Sequence, residues 1–157
     1  MHVQTEAEHQ YAADRAKAFD YLTATQTLPK ICTKRGPIAA IVDATMVDDA
    51  AVEAGAHRTV RMSDGVVLDE EIVAFERPVE HAYAWRGGLK PPFSWVVRGA
   101  KGHWTFSDAD GGTRVRWTYR FELTSPLAYP IAAVAMRLFR AWMRQALANA
   151  DGQLRPR

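Results

Sequence analysis

The chain has 157 residues, 48% of them hydrophobic and 24% charged, the balance of one globular domain of ordinary size and not of a disordered chain. Twenty basic residues against eighteen acidic ones leave a formal net charge of +2, too little to argue for nucleic acid or an anionic membrane as partner. The lone cysteine, Cys32, excludes an internal disulfide, Met1–Glu6 lacks the character of a signal peptide, and the most apolar run, Leu127–Met136, is too short to insert in a membrane, so a soluble cytoplasmic protein is expected.

The alternating, polar segment Val3–Tyr11 reads as a first strand that sits beside the last one. Asp14–Leu22 follows as a short helix, with Asp14 near the N-terminus, where negative charge is favoured, and with Ala18, Phe19 and Leu22 turned inward. Thr25–Cys32 is a second short helix or turn, ended by Gly36-Pro37. From there the pattern changes to period two. Ile38–Asp48 is a strand. Ala56–Met62 and Val66–Glu76 are two more, joined by the hairpin signal Ser63-Asp64-Gly65. A turn at Arg77–Glu80 leads into His81–Arg86, and a looser loop carrying Gly87-Gly88 and Pro91-Pro92 leads into Trp95–Ser107. After the turn Asp108–Gly112, Thr113–Leu123 is the last strand.

Ser125 and Pro126 then suit the cap and first turn of a helix that runs to Asn149 and stops at Asp151-Gly152. At 1.5 Å per residue it is about 36 Å long, enough to cross a small domain. Arg137, Arg140 and Arg144 share one wet side, so the opposite side, with Ala128, Ile131, Ala135, Leu138, Phe139, Trp142 and Ala146, is expected to cover the sheet. Tyr129, Met136 and Met143 recur beside the arginines, either under loops or as a self-association stripe, which leaves a monomer or a weak homodimer.

The order is one strand, two short helices, six strands and a long helix: an α+β domain with a meandering antiparallel sheet of about seven strands. Hairpin register sets Val60 opposite Leu68 and Arg58 opposite Glu70, and then Ala74 by Tyr83 and Ile72 by Trp85. One face thus holds Arg58, Val60, Met62, Leu68, Glu70, Ile72, Ala74, Tyr83 and Trp85. In the last hairpin Trp104 and Phe106 share a face with Val115, Trp117, Tyr119 and Phe121, while Arg114, Arg116, Arg120 and Glu122 face solvent.

Several segments carry a family resemblance. They are Ala18–Leu22 in the first helix, Gly55-Ala56-His57-Arg58 entering a strand, Asp64-Gly65, Glu70-Glu71-Ile72, Arg77-Pro78 before Tyr83, Gly112–Trp117, and the closing helix. Together they resemble the helix-grip fold of the START-like, Bet v 1-like superfamily, most closely its bacterial polyketide cyclase/dehydrase and lipid-transport branch. The resemblance implies a cavity between sheet and long helix that takes a small hydrophobic molecule: a lipid, an acyl chain or a polyketide-like aromatic. Aromatase/cyclases of that superfamily use a cavity arginine, a role that would fall to Arg58; their other catalytic groups have no counterpart in this sequence.

Two opposed charges on an apolar face, Arg58 and Glu70, must neutralise each other or stay hydrated. They are either a structural ion pair or a polar anchor for a ligand oxygen. Tyr83, Trp85, Trp104, Trp117, Tyr119 and Trp142, with Leu138 from the long helix, complete the candidate ligand lining, and a partly open aromatic cavity accounts for so many rings. If a reaction is catalysed, Arg58, Glu70 and Tyr119 are the candidate groups. A protein-binding, chaperone-activating role would need an exposed apolar patch, which the charged outer strand faces do not offer.

His57, His81 and His103 are assigned to the outer face, and no histidine pair has metal-ligand spacing, so no metal or cofactor is expected. Asp43 and Thr45 could reach the cavity. Ser63 and Ser94 lack a histidine partner, so no nucleophilic triad is supported. Gly87-Gly88 and Gly111-Gly112 read as turns and not phosphate loops, and Cys32 as a small buried hydrophobe. Leu89, Pro91-Pro92 and Phe93 form an apolar flap suited to a cavity entrance.

Overall fold

Strands β2 (Ile41–Met46), β3 (His57–Met62), β4 (Val67–Glu76), β5 (Glu80–Gly87), β6 (Val97–Ala109) and β7 (Gly112–Leu123) follow one another as antiparallel neighbours, and β1 (His2–Tyr11) closes onto β7. The computed structural model describes residues 1–155. Helix α1 (Arg15–Thr23) and the single-turn α2 (Leu28–Ile31) fill the connection from β1 to β2, and α3 (Tyr129–Asn149) follows β7 across the inner face. The seven-stranded sheet and long closing helix are the helix-grip arrangement.

Local chemistry sets these elements. The Asp14 carboxylate accepts from the Lys17 amide at 2.8 Å and caps α1. Ser125 accepts from the Leu127 amide at 3.2 Å, but the turn it caps, Pro126–Ala128, is 3₁₀, and the α-helix starts only at Tyr129. In the hairpin between β3 and β4 the Met62 amide donates to the Val66 carbonyl at 2.8 Å, and Gly65 takes the left-handed conformation the turn requires.

The register of β3 and β4 is the expected one: Val60 faces Leu68 and Arg58 faces Glu70. Between β4 and β5 it differs. Glu76 pairs with Glu80, Ala74 with Ala82, and then, past a bulge at Val73, Ile72 with Tyr83 and Glu70 with Trp85. The bulge turns Phe75 instead of Ala74 toward the core, where it meets Phe19 at 5.2 Å and His81 at 5.5 Å between ring centroids. His81 is therefore an inner residue, only 2% exposed, and not an outer one. It has the parity of Tyr83 and Trp85, and strand alternation outweighs the polarity of its side chain.

Two strands start two or more residues later than expected. β2 starts at Ile41, and its far end passes into the turn Val47–Asp49, where Asp48 and Asp49 are left-handed. Its bulge after Ile41 turns Ala44 inward and leaves Asp43 and Thr45 exposed, away from the interior. β6 starts at Val97, because Phe93–Trp95 forms a 3₁₀ turn behind Pro91-Pro92.

Helix α3 is rotated from the expected orientation. Its buried side keeps the expected Phe139, Trp142 and Ala146 but adds Ala132, Met136, Met143 and Leu147, so Met136 and Met143 are core and not a surface stripe. Ile131 is 63% exposed and Leu138 is 41% exposed. The arginine side is a flank of the helix and not the pole opposite the core: Arg140 stands beside Gln4, Thr5 and Glu6 of the edge strand β1. Long basic side chains can lie along such a flank with their charges in water.

Candidate functional site

The interior polar cluster is built on three neighbouring strands. Arg58 on β3 donates to Oε1 of Glu70 on β4 from Nε at 2.9 Å and from Nη2 at 2.8 Å. Trp85 on β5 donates its indole N–H to the other carboxylate oxygen, Oε2, at 3.0 Å. Arg58 is 2% exposed and Glu70 is 4% exposed, so both charges are out of water and each is matched by the other. The guanidinium carbon also lies 5.1 Å from the centre of the Tyr83 ring, on which a cation is favoured.

Beside this pair, the Tyr83 and Tyr119 hydroxyls meet at 2.6 Å, and Trp117 donates its indole N–H to the Tyr83 oxygen at 3.2 Å. Burial, together with the nearby Glu70 charge, pushes both phenols above their ordinary range, so they stay protonated. The Cys32 thiol is raised by the same causes and is inert as a nucleophile. His81 donates from Nδ1 to the Ala74 carbonyl at 3.3 Å, while its Nε2 is buried without a partner among the described residues. Burial first and the Arg58 charge second lower its pKa to about 3, so the ring is neutral.

Rings enclose this cluster. Trp104 and Trp117 stack with centroids 4.3 Å apart, Phe139 from α3 sits edge-on to Tyr119 at 4.8 Å and to Phe121 at 5.0 Å, and Trp142 lies 5.8 Å from Trp117. The flap residue Phe93 meets Phe121 at 6.1 Å and Trp85 at 6.5 Å. Eight of the proposed residues thus come together: Arg58, Glu70, Tyr83, Trp85, Trp104, Trp117, Tyr119 and Trp142. Leu138 does not join them; it lies on the outer flank of α3. His81, Phe139 and Cys32 join the group without having been proposed for it. In place of a partly open cavity, the rings pack on one another and close off the polar pair.

The closure is not uniform along α3. The C-terminal half is tied down: Trp142 donates to the Ala39 carbonyl at 3.1 Å, Asn149 to the Ile31 carbonyl at 2.8 Å, and the Tyr11 hydroxyl to the Leu147 carbonyl at 2.7 Å. Among the described residues no side-chain hydrogen bond joins residues 129–141 to the rest of the molecule. That half, with Leu127 just before it, carries an uncovered apolar flank of Ile131, Val134 and Leu138, and Trp95 is exposed as well, its carbonyl held by the Thr124 hydroxyl at 2.6 Å. The exposed apolar patch that the strand faces lack is thus on the helix.

His57 pairs with Asp69 at 3.0 Å and His103 with Glu80 at 2.9 Å, both on the outer face. Among the described residues no three His, Cys, Asp or Glu side chains are grouped so that they could hold a metal ion, and no helix is long and apolar enough to cross a membrane.

A family model described as polyketide cyclase/dehydrase and lipid transport matches residues 2–154. No curated protein matches the chain. Among solved structures, a protein from Thermus thermophilus superposes with a TM-score of 0.73 at 15% identity, with 97% of each chain covered. The major latex-like protein 151 from Panax ginseng gives 0.68 at 15% identity over 99% of each chain. The di-domain aromatase/cyclase StfQ of the steffimycin biosynthetic pathway gives 0.70 at 17% identity, with 98% of this chain matched to 51% of that one.

Proposed function

This chain belongs to the polyketide cyclase/dehydrase and lipid-transport family, and from that premise we propose that it binds a small hydrophobic molecule between the sheet and α3. The observation that carries this reading is the buried Arg58–Glu70–Trp85 cluster inside an aromatic enclosure. A core of this size gains nothing in stability from a desolvated ion pair that apolar residues could replace. An oriented donor at the bottom of an apolar site is what a ligand oxygen needs. Nε and Nη2 of Arg58 are spent on Glu70, so its Nη1 edge is the part left for the ligand, with the Tyr83–Tyr119 hydroxyl pair beside it.

Entry takes place under the N-terminal half of α3. Its contacts with the sheet are apolar, whereas the half beyond Trp142 is anchored by hydrogen bonds. An outward swing about Trp142 would carry Phe139 off Tyr119 and Phe121 and open the way to the Tyr83–Tyr119 hydroxyl pair. The free Cys32 thiol suits a reducing, cytoplasmic setting for this exchange.

Binding is favoured over catalysis because the site holds no group poised as a base near neutral pH: the one unpartnered base, Nε2 of His81, has its pKa lowered to about 3. Glu70 already accepts from Arg58 and Trp85, and both phenols are held protonated. Native mass spectrometry of gently purified protein, with extraction of anything bound, tests the reading. A reproducible apolar passenger, lost on Trp117→Glu, is the expected result. A clean apo mass with no stabilisation by a panel of lipids and aromatic polyketides contradicts it.

A further inference from the structure

We propose that the interior selects uncharged, oxygen-bearing aromatic molecules and turns away carboxylates, because Glu70 has already neutralised Arg58. The inference rests on the ligand-binding reading above and names the class of ligand that the site takes.

A lone buried arginine would recruit an anion, as guanidinium groups do wherever a carboxylate can reach them. Here the carboxylate is supplied from within. Arg58 donates twice to Oε1 of Glu70, and Trp85 occupies Oε2, so the carboxylate is held from both sides and cannot swing away to make room for a second anion. A ligand carboxylate placed at the Nη1 edge would be attracted by Arg58 and repelled by Glu70 at similar range, and it would give up its water for an interior where the two effects largely cancel.

No other cation in the cluster offsets this. Among the described residues that surround the pair, Tyr83, Tyr119, Cys32 and His81 are all neutral, and the arginines of α3 lie exposed on a flank of the helix, in water. The interior is therefore electrically balanced as it stands, and it stays so only with a neutral guest.

The remaining polar valences define what that guest carries. The Nη1 edge of Arg58 donates, the Tyr83–Tyr119 pair can offer a hydroxyl proton, and the buried His81 Nε2 is without a partner among the described residues. Carbonyl and hydroxyl oxygens fit these groups without bringing charge. An aromatic guest suits the walls, which are ring edges and faces: Phe139 stands edge-on to Tyr119 and Phe121, and Trp85 edge-on to Phe121.

The test uses two probes of nearly the same shape, the neutral ketone 2-acetylnaphthalene and the anion 2-naphthoate, titrated into the protein by calorimetry at neutral pH. The ketone is expected to bind at least about tenfold more tightly. Glu70→Gln keeps an acceptor for Arg58 but leaves the guanidinium uncompensated, and it is expected to reverse the order. If Glu70→Gln fails to fold, the wild-type comparison decides alone. Equal or tighter binding of 2-naphthoate to the wild type overturns the charge selection and leaves ligand binding standing. Binding of neither probe, together with an empty native mass, removes both.

Discussion

The hydroxyls of Tyr83 and Tyr119 meet at 2.6 Å across an intervening strand, and they can do so because the residue between them, Gly102, has no side chain. A Cβ at Gly102 would overlap Cζ and the hydroxyl oxygen of Tyr83, where no further atom fits. A glycine inside a strand, weak on its own account, here makes room for the two phenols.

Gly102→Ala is therefore expected to displace the Tyr83 ring and lower stability by about 1–3 kcal/mol, the usual cost of overpacking. Chemical denaturation measures it. In a Tyr83→Leu background the same change is expected to cost much less, and the non-additivity would identify the ring as the cause.

Removing one member of the buried ion pair leaves the other charge stranded. Glu70→Leu alone is expected to destabilise the fold by about 3–5 kcal/mol, whereas Arg58→Met combined with Glu70→Leu recovers most of that loss. Denaturant midpoints of the single and double variants check this. A double variant that is stable but no longer retains a ligand would separate the role of the pair in binding from any role in folding.

His81 makes stability depend on pH. Its pKa is lowered from 6.5 to about 3 in the folded protein, so the unfolded chain takes up the proton first as the pH drops. Its contribution is complete above pH 6.5 and is lost progressively down to about pH 3, at up to about 1.4 kcal/mol per pH unit. His81→Phe, which suits the ring neighbours Phe75 and Tyr83, is expected to flatten the acid limb of the stability profile.

The two halves of α3 are expected to open separately. Amide hydrogen exchange in residues 129–141 should be faster than in 142–150, and a bound ligand should slow the first group far more than the second. Uniform exchange along the helix would contradict an entry route under its N-terminal half.

How much of this is legible in the sequence differs from residue to residue. Arg58 and Glu70 are readable because a tight turn at Ser63-Asp64-Gly65 fixes the pairing of short flanking strands. Tyr83 and Trp85 fall on the correct face although their expected partners are wrong, since alternation within β5 is independent of the bulge at Val73 in β4. That bulge has no sequence signature, so the inward turn of Phe75 is hidden, and polarity misleads on His81. Leu138 and Ile131 turn toward the sheet only if the core side of α3 lies opposite the arginines, and it does not. The orientation of the helix is set instead by Phe139, Trp142 and Met143 settling on the rings of the sheet, which only the assembled fold reveals.

The central claim, a ligand lodged against the Arg58–Glu70 pair beneath α3, is tested most directly by the indole N–H resonances of the tryptophans during titration with 2-acetylnaphthalene. Trp85 and Trp117, whose indole protons are held by Glu70 and Tyr83, should shift together and saturably, while the exposed Trp95 stays nearly unmoved. A shift confined to Trp95, with Trp85 and Trp117 unchanged, would place the ligand on the surface and contradict the account.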